Sequence, residues 1–297
     1  MRFASPFSRA AIDLVGLTVD GLLIESLLAE GGIGRVYAAL GLDDGERFAL
    51  KVLRPELAID PGMRSRLRRE IAFLQRVSHP NVVAVRASGD LDDGRPYFVM
   101  DLHEGMTLSE LVRREGPLPI PRALALIDQV LDGLGALHDA GVVHRDLQPR
   151  NLLVTRDPAT GEERVILIDL GFAHEPGVDT GDGVTPDSPG SAVGTIPFLA
   201  PEQVTGGRAI TPRSDLFAAG LLLYYAITGT LPFQGGAGPD RLINLLRRAP
   251  IPLRRLRRDA PRSLQIALDK AFAKHPDARY AGAPEMRAAL RAAVPSG

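Results

Sequence analysis

Apolar positions along this chain follow two different spacings, one before Leu102 and another after it. Before it, apolar runs are short and separated by turn-rich stretches. Leu22 to Ala29 leads into Glu30-Gly31-Gly32-Ile33-Gly34-Arg35-Val36-Tyr37, and Arg47-Phe48-Ala49-Leu50-Lys51-Val52-Leu53 follows. Such runs around Gly-rich turns predict a hairpin of β-strands. Asn81 to Ala87 and Pro96 to Asp101 predict two more strands. Between Met63 and Val77 the spacing changes: Leu67, Ile71, Leu74 and Val77 recur at helical intervals, which predicts one helix.

After Leu102 helical spacing dominates. Leu124, Ile127, Val130, Leu131, Leu134 and Leu137 predict a helix from Pro121 to Ala140, with Pro119 and Pro121 marking its start. Two short strands, Leu152-Leu153-Val154 and Val165-Ile166-Leu167-Ile168, flank the turn-rich Asp157-Pro158-Ala159-Thr160-Gly161. Glu175 to Ser191, rich in Gly, Pro, Asp, Ser and Thr, predicts a long loop of the kind that carries function. Ser214 to Thr228 is almost wholly apolar after Asp215, which predicts a helix buried on all sides. Shorter helices are expected near 239–248, 261–273 and 284–293. The pattern describes an α+β protein: a β-rich first part with one main helix, then a mostly helical part, meeting near Leu102 to Gly105. Residues 1–20 lack strong periodicity and read as a leader able to pack in part.

Composition narrows the function classes. The 297 residues are 45% hydrophobic and 24% charged, ordinary for a globular chain able to bury a sizeable core. The net charge of −1 gives no global pull toward nucleic acid or an anionic membrane. The absence of Cys excludes disulfides, thiolate catalysis and Cys-ligated zinc. No apolar run reaches the roughly 18 to 20 residues of a membrane span, and the N-terminus lacks a signal-peptide layout. A cytoplasmic location is the default expectation. The Arg-rich run Arg254-Arg255-Leu256-Arg257-Arg258 reads as a solvated connecting face rather than a site for an acidic partner or nucleic acid. His79 and His103 read as structural or rim residues, since no cluster with metal spacing accompanies them.

The chemistry concentrates in one stretch, Val142-Val143-His144-Arg145-Asp146-Leu147-Gln148-Pro149-Arg150-Asn151, followed by Asp169-Leu170-Gly171 after the apolar run Val165 to Ile168. Phosphoryl transfer needs a carboxylate at the attacking hydroxyl and oxygen ligands for magnesium on the nucleotide phosphates. Asp146 can be the first, and Asn151 and Asp169 the second. Lys occurs only at Lys51, Lys270 and Lys274, so a Lys at a functional position stands out.

These motifs, in this order over residues 21 to 293, closely resemble a bacterial Ser/Thr protein kinase of the eukaryotic-like type. The resemblance implies a two-lobed kinase fold, with an N-lobe at about 21–102 and a C-lobe at about 103–293. It implies that Leu28, Ala29, Glu30, Gly31, Gly32, Ile33, Gly34, Arg35 and Val36 form the Gly-rich loop over ATP. Ala29 stands where the first of three glycines is usual, and a Cβ there would stiffen the loop. Ala49 would line the nucleotide pocket. Lys51 would contact the α- and β-phosphates, paired with Glu70 on the following helix. Val99-Met100-Asp101-Leu102-His103 would form the hinge that binds adenine through its backbone, with the Met100 side chain at the back of the pocket and ATP between the lobes.

The same resemblance makes Asp146 the residue that orients the hydroxyl and accepts its proton. Two Mg²⁺ ions would be held by Asn151 and Asp169. Gln148 stands where related kinases carry a Lys near the transferred phosphoryl group. Gly194-Thr195-Ile196-Pro197-Phe198-Leu199-Ala200-Pro201-Glu202 resembles the substrate-docking segment, with Arg279 paired to Glu202 and Asp215 bracing the catalytic loop. The implied activity is ATP-dependent phosphorylation of Ser or Thr on a protein substrate, with Pro149 and Thr195 favouring Ser/Thr over Tyr. Autophosphorylation is expected at Thr180, Thr185, Ser188, Ser191 or, less readily, Thr195, through self-association in trans; no nucleic-acid partner is expected. Ala29, Gln148 and Leu170 leave open a pseudokinase acting as a nucleotide-binding or scaffolding module. The Ala-Pro-Glu segment and Arg279 argue against a small-molecule phosphotransferase.

Overall fold

The computed structural model describes residues 13–31, 34–157, 159–169, 198–205, 209–233 and 239–294, without the side chains of 56, 57, 63, 66, 70, 73 and 239–241. The chain divides into two compact units, Met1–Ser78 with Val83–His103, and His79–Val82 with Glu104–Gly297.

The first unit is an antiparallel sheet of β1 (Thr18–Val19), β2 (Leu22–Glu30), β3 (Gly34–Gly41), β4 (Arg47–Leu53), β5 (Val85–Asp90) and β6 (Pro96–Asp101), in the spatial order β1-β2-β3-β4-β6-β5. Alternate residues of these strands point to one face, where Ile24, Tyr37, Ala39, Leu50, Val52, Tyr97 and Val99 form a core cluster. Leu14 joins that cluster, and Thr18 and Val19 pair with Leu23 and Leu22. The end of the expected leader is therefore part of the sheet and its core; residues 1–12 lie outside the described residues. A short helix α1 (Pro55–Ala58) precedes α2 (Pro61–Leu74), whose Leu67, Ile71 and Leu74 are buried as their spacing predicts.

The second expected strand from Asn81 is corrected. Pairing with β6 begins at Val85, because Asn81 is buried and committed elsewhere. Its side-chain amide donates to Val165 O at 2.7 Å and to Gln129 Oε1 at 3.1 Å, and its carbonyl accepts from Leu167 N at 2.9 Å. A buried amide must find partners, so residues 79–82 belong to the second unit.

The second unit opens with β7 (Met106–Thr107) and α3 (Leu108–Glu115), then α4 (Ile120–Asp139), β8 (Leu152–Arg156) and β9 (Glu163–Leu167). Helices α5 (Pro201–Thr205), α6 (Pro212–Thr228), α7 (Pro239–Arg247), α8 (Leu253–Leu256), α9 (Arg262–Ala271) and α10 (Ala283–Ala293) complete it. As expected, α6 is buried nearly all round. Its Phe217 and Tyr224 pack with Phe233 and Phe272 in an aromatic cluster, the ring centroids 5.7–6.2 Å apart. The helix stops at Gly229, whose φ of 71° is the left-handed conformation glycine adopts without strain.

Gly34 has a packing reason as well as a loop reason. A Cβ on it would lie 2.5 Å from Val52 O on the neighbouring strand. Backbone cannot yield as a side-chain tip can, so Gly34→Ala should destabilise the first unit by about 1–3 kcal/mol. Urea denaturation checks this; a midpoint equal to wild type would contradict it.

Candidate active site

The loop after α4 is fixed from several sides. Gly141, at φ 77°, turns the chain out of the helix, and Val142 and Val143 are buried. Asp215, in the first turn of α6, accepts hydrogen bonds from His144 N at 2.8 Å and Arg145 N at 2.9 Å, and lies 2.8 Å from His138 Nε2. Burial pushes the Asp215 carboxyl up, but the His138 hydrogen bond and neighbouring positive charge outweigh it and hold the group below the usual carboxylate value. Arg145 has φ 66°, a left-handed conformation that costs a non-glycine residue of order 1 kcal/mol or more. The Asp215 bonds on one side and Gln203 Nε2 donating to Arg145 O at 2.7 Å on the other hold it there.

That geometry presents Asp146 between two amide donors. Gln148 Nε2 donates to Asp146 Oδ1 at 2.6 Å. Asn151 Nδ2 donates to Asp146 O at 2.8 Å and to Oδ2 at 3.1 Å. Residues 149–151 form a single 3-10 turn closed by Asn151 N to Gln148 O at 2.9 Å. Ile168 N then donates to Asn151 O at 3.1 Å, which brings Asp169 alongside. Gln148 is buried with its amide on the carboxylate. Burial, followed by the charge of Asp169, pushes the Asp146 carboxyl up to about 6; Arg150, Asn151 and Gln148 oppose this.

A raised carboxylate pKa means the folded state holds the proton to higher pH than the unfolded chain. Its contribution favours folding below the unfolded value near 4 and is lost as pH rises through about 6. The metal-free Asp146→Asn variant should therefore melt higher than wild type at pH 7.5, and the difference should shrink toward pH 4. Thermal melts across that range check it; a pH-independent difference would contradict it.

The donor set suits a magnesium ion. Asn151 spends its Nδ2 on Asp146, which leaves Oδ1 for a cation. The charge of Asp169 helps push the Asp146 carboxyl up, a repulsion that a divalent cation relieves. One or two carboxylates completed by phosphate oxygens and water is the ordinary environment of Mg²⁺. Among the described residues no group of three or more His, Asp or Glu could hold an ion alone.

The first unit carries the other predicted positions. Leu28, Ala29 and Glu30 end β2 and are exposed, with Ala29 paired to Val36 in regular register just after a bulge. The Cβ at position 29 therefore sits on a paired strand. Gly31 N donates to Gly34 O at 2.9 Å to start the turn; Gly32 and Ile33 lie outside the described residues. Glu30 takes Arg54 Nη2 at 2.6 Å and Arg35 Nη2 at 3.4 Å. On β4, Ala49 is buried and Lys51 is 8% exposed, with Nζ 5.6 Å from the Phe98 ring centroid. Met100 is buried on β6, and Asp101 accepts Arg86 Nη2 at 2.8 Å; His103 ends the unit. Glu70 lies on α2, its side chain outside what is described. Leu170, Gly171, Thr180, Thr185, Ser188, Ser191 and Thr195 also lie outside the described residues.

Glu202 on α5 and Arg279 form a buried bidentate pair, both bonds at 2.7 Å, and Ser214 Oγ donates to Glu202 at 2.7 Å. Burial pushes Glu202 up, but the Arg279 hydrogen bonds and charge hold it below its ordinary value.

Residues 23–287 match the protein kinase domain family. This chain belongs to the protein kinase family. Its curated relatives include the serine/threonine-protein kinase PknB of Mycolicibacterium smegmatis, 35% identical over 274 residues, covering 91% of this chain and 42% of the relative. The serine/threonine-protein kinase pkn3 of Myxococcus xanthus is 35% identical over 272 residues, covering 91% and 49%. The chain thus spans less than half the length of these relatives. A crystal structure of the Mycobacterium tuberculosis PknI kinase domain, carrying two substitutions, superposes with a TM-score of 0.73 at 26% identity, covering 95% of this chain and 99% of that one. The kinase fold seen here, a β-sheet unit with one main helix and a largely helical unit, is the expected α+β class. No described helix of this kinase chain is long and apolar enough to cross a membrane.

Two residues that position the kinase loop escape a motif search. Gln203 follows the Ala-Pro-Glu triplet directly and braces Arg145 from the side opposite Asp215. His138, six residues before His144, completes the Asp215 bonds. Both are polar residues buried or nearly so, and only their order beside known motifs could have marked them.

Proposed function

We propose that this chain is an active protein kinase that moves the γ-phosphoryl group of ATP to a Ser or Thr hydroxyl of a protein substrate. The observation that carries the reading is Asp146, held by Gln148 and Asn151 with Asp169 alongside. Asp146 orients the substrate hydroxyl and accepts its proton, a role supported by the elevated proton affinity of its carboxylate. Lys51, nearly buried on β4, and the backbone at Gly31 and Gly34 bind the nucleotide phosphates, with Glu70 as the partner of Lys51. Ala49, Met100, Asp101 and His103 surround the adenine. Mg²⁺ on Asp169 and Asn151 Oδ1 supplies charge neutralisation on the phosphates. We place the kinase domain at residues 21–293 and its action in the cytoplasm. No observation favours a scaffold without catalysis.

Chain copies phosphorylate one another in trans at one or more of Thr180, Thr185, Ser188 and Ser191, with Thr195 secondary. A phosphate there would pair with Arg145, which adjoins Asp146 in the loop. Mass spectrometry of protein expressed without phosphatase should find these sites modified in wild type and unmodified in Asp146→Asn. Equal modification of the two, or none in wild type, would overturn the self-phosphorylation.

A further inference from the structure

Many arginines on the described surface are matched to carboxylates, as in Arg47–Glu25, Arg68–Asp90, Arg122–Glu163, Arg164–Asp157 and Arg287–Asp128, and exposed ones that are not, such as Arg76, Arg113 and Arg156, stand apart from one another in the chain. Residues 247–262, from the end of α7 through α8 to the start of α9, gather six unmatched arginines in one stretch. Arg247, Arg248, Arg254, Arg255, Arg258 and Arg262 are exposed, and among the described residues none of their side chains has an ion-pair or hydrogen-bond partner. The stretch holds a single acid, Asp259, and Arg257 neutralises it through a bond of 2.8 Å.

The run 254–258 is the solvated face its sequence predicts, with Arg254, Arg255, Leu256 and Arg258 exposed, and Arg257 is the exception. It turns inward to donate to Leu118 O at 3.0 Å and Ile227 O at 2.8 Å. Arg254 N donates to Gln265 Oε1 at 3.4 Å, which seats α8 beside α9. The uncompensated charges are thus held on a folded surface rather than on a free tail, in a chain whose net charge is −1.

We propose that this surface docks an acidic peptide segment of a protein partner. Guanidinium groups take carboxylates in paired hydrogen bonds, which suits Asp- and Glu-rich chain. Two rival anions fit worse. A membrane needs a continuous apolar anchor, yet within residues 247–262 the one large apolar side chain exposed is Leu256, at 45% on a four-residue helix, with Ile243 and Ile266 as single exposed side chains on the flanking α7 and α9. One such side chain supplies only about 1.5–3 kcal/mol even when fully buried. Single-stranded nucleic acid needs aromatic rings to stack on, and residues 234–271 contain no Phe, Tyr or Trp.

Binding is read by fluorescence anisotropy with a fluorescein-labelled octaglutamate peptide, which needs no phosphoryl transfer and so stands apart from the proposed activity. Wild type should bind it in low salt, and the affinity should fall as salt shortens the screening length from about 10 Å at 0.1 M. The triple variant Arg254→Glu/Arg255→Glu/Arg258→Glu should bind at least about tenfold more weakly. It should melt with wild type, because these side chains are exposed and unpaired. Arg76→Glu/Arg113→Glu/Arg156→Glu, the same charge change elsewhere, should bind like wild type. No binding by wild type, or equal losses in both triples, would overturn the proposal. So would tighter binding of a thymidine oligonucleotide or of phosphatidylglycerol vesicles than of the peptide.

Discussion

Asp146→Asn is expected to lower kcat by about 10²- to 10⁴-fold, the usual contribution of a positioned general base, or roughly 3–5 kcal/mol of barrier. The substitution keeps the shape and removes the proposed proton acceptor. Loop geometry should survive, because Asp215 holds the backbone at His144 and Arg145, and Asn151 bonds the carbonyl of residue 146 as well as its side chain. The effect should therefore fall on kcat with little change in KM for ATP, the mark of an interaction made in the transition state. Steady-state kinetics on one Ser/Thr peptide would measure it. A loss of less than about threefold would remove Asp146 from the proton-acceptor role.

Arg279→Ala should be the most destabilising of the changes considered. The pair with Glu202 is almost solvent-free, with side-chain exposures of 0% and 1%. Truncating Arg279 leaves the Glu202 carboxylate buried with Ser214 Oγ as its remaining side-chain donor. It also removes the donor to Ala273 O and Arg213 O. Breaking one side of a buried pair costs about 3–5 kcal/mol, a large part of the roughly 5–15 kcal/mol that separates folded from unfolded domains. Replacing both residues with apolar ones of similar size should recover much of the loss, since the charge is then no longer stranded. Denaturant midpoints of the single and double variants check this. A single variant within about 1 kcal/mol of wild type would contradict it.

Long periodic elements are legible in this sequence because burial repeats their spacing many times: Leu124 to Leu137 on α4 and the apolar run of α6 each offer several consistent turns. The short helix α3 is not. Helix α3 spans only eight residues, and its signal is local: Thr107 accepts from Glu110 N while the Glu110 carboxylate accepts from Thr107 N, a capping box. Asn81 misleads for the opposite reason. Its neighbours Val82 and Val83 look like a strand, but the destination of its amide lies 84 residues away at Val165, and no local pattern records that.

The site divides in the same way. The residue types and spacing around Asp146 make its neighbours Gln148 and Asn151 recognisable, and the geometry gathers all three. The clamp on Arg145 is invisible in sequence, since Gln203 and Asp215 reach it from 58 and 70 residues along the chain. The bare charge of residues 247–262 is likewise a property of pairing. Composition records the arginines, but only the fold separates Arg257, turned inward onto Leu118 and Ile227, from the neighbours left in solvent.

The most direct measurement is transfer of labelled γ-phosphoryl from ATP to a Ser/Thr peptide in Mg²⁺, run beside nucleotide binding on the same preparation. An active kinase binds ATP and labels the peptide on Ser or Thr, and Asp146→Asn binds ATP equally but labels it at least about 10²-fold more slowly. ATP bound by wild type with no label transferred would make this chain a nucleotide-binding module and contradict the proposed activity.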